Sequence, residues 1–137
     1  MNRRQLREQI FKLLFRVEFN PAEDMDTQVE LFFDNDETQF DEKDMKYIRD
    51  KYDRIYEKID EIDRLIDEKA KGWKTERMSK VDLTIIRLGV YEILYDDQIS
   101  AGIAINEAVE LAKKFGQDKS GGFINAVLAK FTTQKEE

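Results

Sequence analysis

Ile105-Asn106-Glu107-Ala108-Val109-Glu110-Leu111-Ala112-Lys113-Lys114-Phe115-Gly116, a short link, and then Ser120-Gly121-Gly122-Phe123-Ile124-Asn125-Ala126-Val127-Leu128 is the stretch that decides the fold. It reads as two consecutive helices with a glycine stop between them and lysines at the corner. Gly116 suits the left-handed position that ends many helices. The second helix starts near Asp118 to Ser120, where free amides and the Ser120 hydroxyl are placed to meet an anion. Gly121 and Gly122 have no side-chain bulk, so a backbone can approach closely there. Lys113, Lys114 and Lys119 surround the spot. Phe115 and Phe123 either stack on unpaired bases or belong to the core, the commoner fate of a phenylalanine at helical spacing.

That basic corner sits in an acidic chain of net charge -7. Residues 1–16 hold five basic residues (Arg3, Arg4, Arg7, Lys12 and Arg16) against one acid, whereas residues 18–70 hold 19 acids against eight bases. From Lys113 to Lys130 there are four lysines against Asp118 alone. A generally basic nucleic-acid binder is therefore excluded, but segregation of this kind focuses a local positive field. Two basic poles on one acidic protein imply a single polyanion site assembled from both termini. The acidic middle also reads simply as a solvated helical surface.

One proline, six glycines and 39% charged residues point to an all-helical protein, and 137 residues are most simply one domain, residues 1–137, with a real core. The spacing predicts a first helix over residues 3–18, with Leu6, Ile10, Leu13, Leu14 and Val17 buried. Arg3, Arg4, Arg7 and Lys12 fall largely off that stripe, which leaves them for solvent or a partner. Asn20-Pro21 stops it, a short helix follows around Asp26 to Phe33, and the run Asp34 to Thr38 reads as a loop. Residues 42–70 read as the longest helix, because Met45, Ile48, Tyr52, Ile55, Ile59, Ile62 and Ile66 form an unbroken heptad seam. Gly72 ends it, and Trp73 packs the turn. Ser79 to Asp82 carries a helix-start signal. The helix it opens, to about Tyr95, is apolar around most of its circumference, so it belongs inside a bundle. Arg87 and Glu92 on it need partners and read as structural. Residues 132–137 read as a frayed tail.

The chain has no cysteine and no histidine. Disulfides, thiolate nucleophiles, the usual zinc sites and histidine-based triads are thereby excluded. Glu107/Glu110 is a carboxylate pair, but di-iron bundles also need histidines. No phosphate-cradling loop of the P-loop type is present. We therefore expect neither enzyme activity, a cofactor nor a metal. The apolar runs are too short for a membrane helix and no signal peptide is readable, so an intracellular, cytoplasmic protein is expected.

At this point the residues carry a resemblance. The run from Ile105 to Gly116, followed by Ser120, Phe123 and Asn125 to Leu128, resembles the signature of the NusB family of bacterial transcription antitermination proteins. Trp73, Arg77, Asp82, Ile86-Arg87 and Tyr91-Glu92 stand where that family has its tryptophan, its arginine and its leucine-arginine … tyrosine-glutamate helix. The match is strong from residue 73 onward and loose from 20 to 70. It implies an all-α fold of about seven helices in two packed three-helix sub-bundles. It further implies binding of single-stranded boxA-type RNA jointly with NusE, a small-subunit ribosomal protein, and delivery to elongating RNA polymerase, chiefly in rRNA transcription. Carried over by position, the RNA site would comprise Arg3, Arg4, Arg7, Phe15, Lys113, Lys114, Phe115, Lys119, Ser120 and Phe123. The NusE-facing surface would comprise Glu76, Arg77 and Asp82. Four departures stand out: Phe15 replaces a frequent tyrosine, Ser100 a proline, Ala126 a glycine and Lys119 an acid.

Two rival readings follow from the same residues. In one, the seam from 45 to 66 makes a homodimeric interaction module without RNA binding. In the other, this fold serves as the RNA-binding accessory domain of an rRNA methyltransferase, although no cofactor-binding βαβ unit is readable here.

Overall fold

The computed structural model describes residues 1–35 and 37–132. Regular structure among them is helical throughout: α1 (Arg3–Phe15), α2 (Met25–Phe33), α3 (Glu42–Glu57), α4 (Ile59–Lys69), α5 (Lys80–Tyr95), α6 (Ala101–Phe115) and α7 (Ser120–Ala129). Short 3₁₀ turns occupy Arg16–Phe19, Ala22–Asp24 and Thr75–Arg77. The chain divides into two compact units, Met1–Glu57 with α1 to α3 and Lys58–Glu137 with α4 to α7. Among the described residues, no helix is long and apolar enough to cross a membrane.

In the first unit α1 opens on a capping box. The Asn2 side chain accepts the Gln5 amide at 2.8 Å, and the Gln5 side chain accepts the Asn2 amide at 2.9 Å, which satisfies two otherwise unpaired donors. Ile10, Leu13 and Leu14 form its fully buried stripe, and α1 packs along α3. The α-helix stops at Phe15 rather than running to residue 18, so Val17 lies in the following 3₁₀ turn. Arg16 fixes that change of course. Its guanidinium donates to the Gln28 carbonyl and side-chain oxygen, both at 3.2 Å, and lies 5.3 Å over the Phe32 ring. The Met1 amino group pairs with Asp44 at 3.0 Å.

The expected single helix over 42–70 is two helices. It breaks at Lys58 (φ -107°, ψ 6°), where the first unit gives way to the second. Nothing in the residues near Lys58 disfavours helix; tertiary contacts override local propensity there. The Lys58 ammonium lies 4.7 Å over the Tyr95 ring, and the Tyr95 hydroxyl donates to Glu61 at 2.8 Å. Burial, reinforced by that hydrogen bond, pushes the Tyr95 hydroxyl up to about 12. Most of the heptad seam is interior, with Met45 and Ile59 half-buried. Ile48, Tyr52 and Ile55 are buried in the first unit, Ile62 and Ile66 in the second. A homodimer zipped along this seam would have to expose that core, so the coiled-coil reading of residues 45–66 is set aside.

The second unit is built round α5, whose residues from Leu83 to Ile93 are buried without interruption. α4, α6 and α7 all pack against it, as a helix apolar on most sides requires. Ser79 caps it, accepting the Asp82 amide at 3.1 Å. Arg87, expected to be structural, forks onto Asp63 of α4, Nε to Oδ1 at 2.8 Å and Nη2 to Oδ2 at 2.7 Å. Gly89 lets α7 approach, for a Cβ there would meet Leu128 Cδ1 at 2.7 Å. Ser100, in place of the family's proline, caps α6 by accepting the Ile103 amide at 3.2 Å.

The turn between α6 and α7 corrects one expectation. Gly116 is extended (φ -94°, ψ -167°), not left-handed. Glycine is needed for space: a Cβ would lie 2.7 Å from Ser120 Oγ and 2.9 Å from the Ala112 carbonyl oxygen. The one left-handed residue among those described is Gly72 (φ +90°), in the turn after α4. Of the expected tail, residues 133–137 lie outside the described residues.

Two stability measurements test this account. Asp63→Ala leaves the nearly buried Arg87 without its bidentate acceptor and should cost about 3 kcal/mol in urea denaturation. Gly116→Ala, forced against backbone as well as side chain, should cost roughly 1–3 kcal/mol. Gly122→Ala in α7, whose Cβ would meet nothing within 4 Å, should instead be neutral or gain up to about 1 kcal/mol. Equal effects of the two glycine substitutions would contradict the close-approach explanation.

Candidate nucleic-acid interface

The arginine helix belongs to the first unit and the lysine corner to the second. Arg3 and Arg4 are exposed in the first turn of α1, which contains no acid. Cations there oppose the helix dipole, so helix stability does not explain them. Arg7 is different. Only 6% of it is exposed, and it cannot be the solvent-facing group the helical spacing suggested. The apolar stripe widens one turn into α1, where Phe11 is buried beside Ile10, and Arg7 lies at i-4 to Phe11 and so falls under cover with it. Lys12 is exposed and pairs with Glu8 at 3.6 Å, and Arg16 is held by Gln28 and Phe32. Of the five basic residues, Arg3, Arg4 and Lys12 are therefore on the exposed surface, while Arg7 is covered and Arg16 is tied to Gln28 and Phe32.

Phe15 is half-buried between two rings, stacked on Phe11 with centroids 5.9 Å apart and edge-on to Phe19 at 5.0 Å. The exposed member of this trio is Phe19, at 58%. It escapes a periodicity argument because it follows the end of the α-helix, where the helical repeat no longer assigns a face.

At the corner in the second unit, Lys113, Lys114 and Lys119 are all exposed. Lys113 pairs with Glu110 at 3.2 Å, a surface contact of little energetic weight. Glu110, which the sequence presents as half of a carboxylate pair, is thus a lysine partner. Lys114 lies 5.6 Å over the Phe115 ring, and Phe115 itself is half-buried. Ser120 departs from expectation: 5% exposed, it closes the turn from within. Its Oγ accepts the Gln117 amide at 3.0 Å, and its own amide donates to the Gln117 carbonyl at 3.0 Å. The hydroxyl is thus spent on the turn that Gly116 makes possible.

α7 differs from α1, α5 and α6 in having no side-chain cap, because Lys119 stands at that position. The Phe123 amide reaches the Lys119 carbonyl at 3.2 Å, so the first-turn amides outside the helical ladder are those of Gly121 and Gly122. A Cβ on Gly121 would touch only Val109 at 3.6 Å, and on Gly122 nothing within 4 Å. An approachable, uncapped helix start flanked by lysines is suited to an anionic backbone. Phe123 is half-buried and edge-to-face with Trp73, centroids 5.5 Å apart at 87°. Trp73 does not fill its turn as expected; 40% of it is exposed.

Glu76 and Arg77 are exposed on the 3₁₀ turn before α5, and Asp82 is half-buried in the first turn of α5. Asp82 Oδ1 is buried with no hydrogen-bond partner among the described residues.

The NusB family pattern matches residues 4–133. A transcription antitermination protein NusB from Agathobacter rectalis is 54% identical over 132 residues, 96% of this chain and 99% of the relative. One from Lachnoclostridium phytofermentans is 45% identical over 130 residues, 95% of this chain and 98% of the relative. Among solved structures, NusB from T. maritima superposes with a TM-score of 0.86 at 34% identity, covering 98% of this chain and 92% of that one. A chain in the crystal structure of a plectonemic RNA supercoil superposes with a TM-score of 0.79 at 28% identity, covering 96% of this chain and 94% of that one. Matched over nearly its whole length in sequence and in fold, the chain belongs to the NusB family, whose members are named for transcription antitermination and not for catalysis.

Proposed function

We propose that this chain is a cytoplasmic antitermination factor that binds boxA-type single-stranded RNA together with NusE and joins the elongating RNA polymerase complex, chiefly in rRNA transcription. The observation that carries the reading is the near full-length match to relatives named transcription antitermination protein NusB. The RNA part draws on geometry. Arg3 and Arg4 stand exposed where the helix dipole disfavours them, as phosphate-neutralising groups would. The uncapped start of α7, with Gly121 and Gly122 open and Lys113, Lys114 and Lys119 around it, offers amides and cations to a second stretch of backbone. Phe115 and Phe123 serve as partly exposed rings for bases. Arg7, Phe15 and Ser120 support these surfaces from beneath. That a chain of the same fold occurs in an RNA supercoil structure is in keeping with this assignment. Glu76, Arg77 and Asp82 face NusE in this reading, Glu76 and Arg77 exposed on the 3₁₀ turn and Asp82 half-buried in the first turn of α5.

RNA affinity should fall linearly with salt on a log–log plot. Arg3→Ala/Arg4→Ala should leave thermal stability unchanged, weaken boxA-type RNA binding in a filter assay, and reduce the salt slope by about 1.4, about 0.7 for each phosphate no longer neutralised. Unchanged RNA affinity in that double variant would remove α1 from the interface. For the partner surface, Glu76→Lys/Arg77→Glu should abolish co-purification with NusE while RNA binding by the isolated protein persists; retained co-purification would place NusE elsewhere.

A further inference from the structure

Trp73 is the chain's single tryptophan and is 40% exposed. Gly72, with its left-handed backbone, turns the chain just before it, and the Trp73 amide donates to the Ala70 carbonyl at 2.9 Å. Its ring is propped edge-to-face on Phe123, which α7 holds in place beside the fully buried Ile124. The indole is therefore fixed in orientation while much of its surface faces solvent. Lys71 and Lys74 are exposed on either side of it, with no acid between Lys69 and Thr75. Lys119, also exposed, lies one helical turn from Phe123, and next to Phe123 the Cβ position of Gly122 is open. A solvent-facing aromatic ring braced on a second ring, with lysines beside both rings in the chain, is the chemical pattern that holds an unpaired base and its phosphates. The same lysines repel a cationic side chain, which argues against a cation–π partner.

We propose that Trp73, braced by Phe123, is a stacking platform for an unpaired base of the bound RNA, extending the corner beyond the residues carried over from the family signature. The proposal rests on the reading of this protein as an RNA binder, and one experiment separates the two. With a single tryptophan, selectively excited indole fluorescence of the full chain reports on Trp73 alone. The full chain is titrated with a boxA-type oligoribonucleotide and, as a base-free polyanion, with inorganic polyphosphate. Affinities of wild type, Trp73→Ala and Trp73→Phe are measured in parallel by anisotropy of end-labelled RNA, with melting curves confirming that each variant folds. RNA should quench the indole while polyphosphate does not. Trp73→Ala should weaken binding by about 5- to 150-fold, the range for losing one base–aromatic stack, and Trp73→Phe should recover most of it. RNA that saturates wild type without changing the indole, or that binds Trp73→Ala as tightly, would overturn the proposal and leave RNA binding intact. Equal quenching by polyphosphate would also overturn it, since charge alone would then account for the signal. If neither wild type nor variants bound RNA, the functional reading would fail and this proposal with it.

Discussion

Burial of α5 on nearly every side is the constraint on which the second unit depends. Eleven successive residues, Leu83 to Ile93, are withdrawn from solvent, so α4, α6 and α7 must all lie against the same helix. Burying that much apolar surface is the dominant favourable term, and it leaves two problems to be solved locally. Arg87 is carried inside with its charge, and the planar fork onto Asp63 answers it with two short hydrogen bonds. α7 must come close enough to cover the last face, and the absence of a side chain at Gly89 permits the contact with Leu128.

The corner between α6 and α7 inherits its shape from that packing. With both helices held against α5, the link must reverse within a few residues. Gly116 and Ser120 make this possible by near-contact and by the Gln117 amide bond to Ser120 Oγ. Because Lys119 stands at the cap position, the helix start that remains approachable is uncapped, and it is rimmed by lysines. An acidic protein thereby presents a small basic surface at a fixed place, and the net charge of the chain says little about what that surface meets. Trp73, propped on Phe123, adds a rigid ring to the same region.

The first unit shows how a charged sequence sorts its arginines. Five basic residues over 1–16 look alike on paper, but they divide by what lies beneath them. Arg3 and Arg4 are exposed, Arg7 is covered beside Phe11, Lys12 pairs with Glu8, and Arg16 is tied to Gln28 and Phe32. A count of charges overstates an interface whenever the long stems of arginine are recruited to cover apolar surface.

The sequence by itself determined the helical class, the caps at Ser79 and the ends of α5, the structural role of Arg87, and the signature that carries the family, because each depends on neighbours a few residues away or on a periodicity that local geometry enforces. It also located the basic corner, since glycines and lysines cluster there in the chain. Tertiary structure decided the rest. The break at Lys58 coincides with contacts of Lys58 and Glu61 to Tyr95, more than thirty residues on, which no heptad count contains. The covering of Arg7, the commitment of Ser120 Oγ, the need for glycine at 116 and the exposure of Trp73 likewise depend on which atoms meet after the helices have packed. Periodicity assigns a face to a residue, but only the neighbour that arrives on that face decides whether it is a contact, a support or an open site.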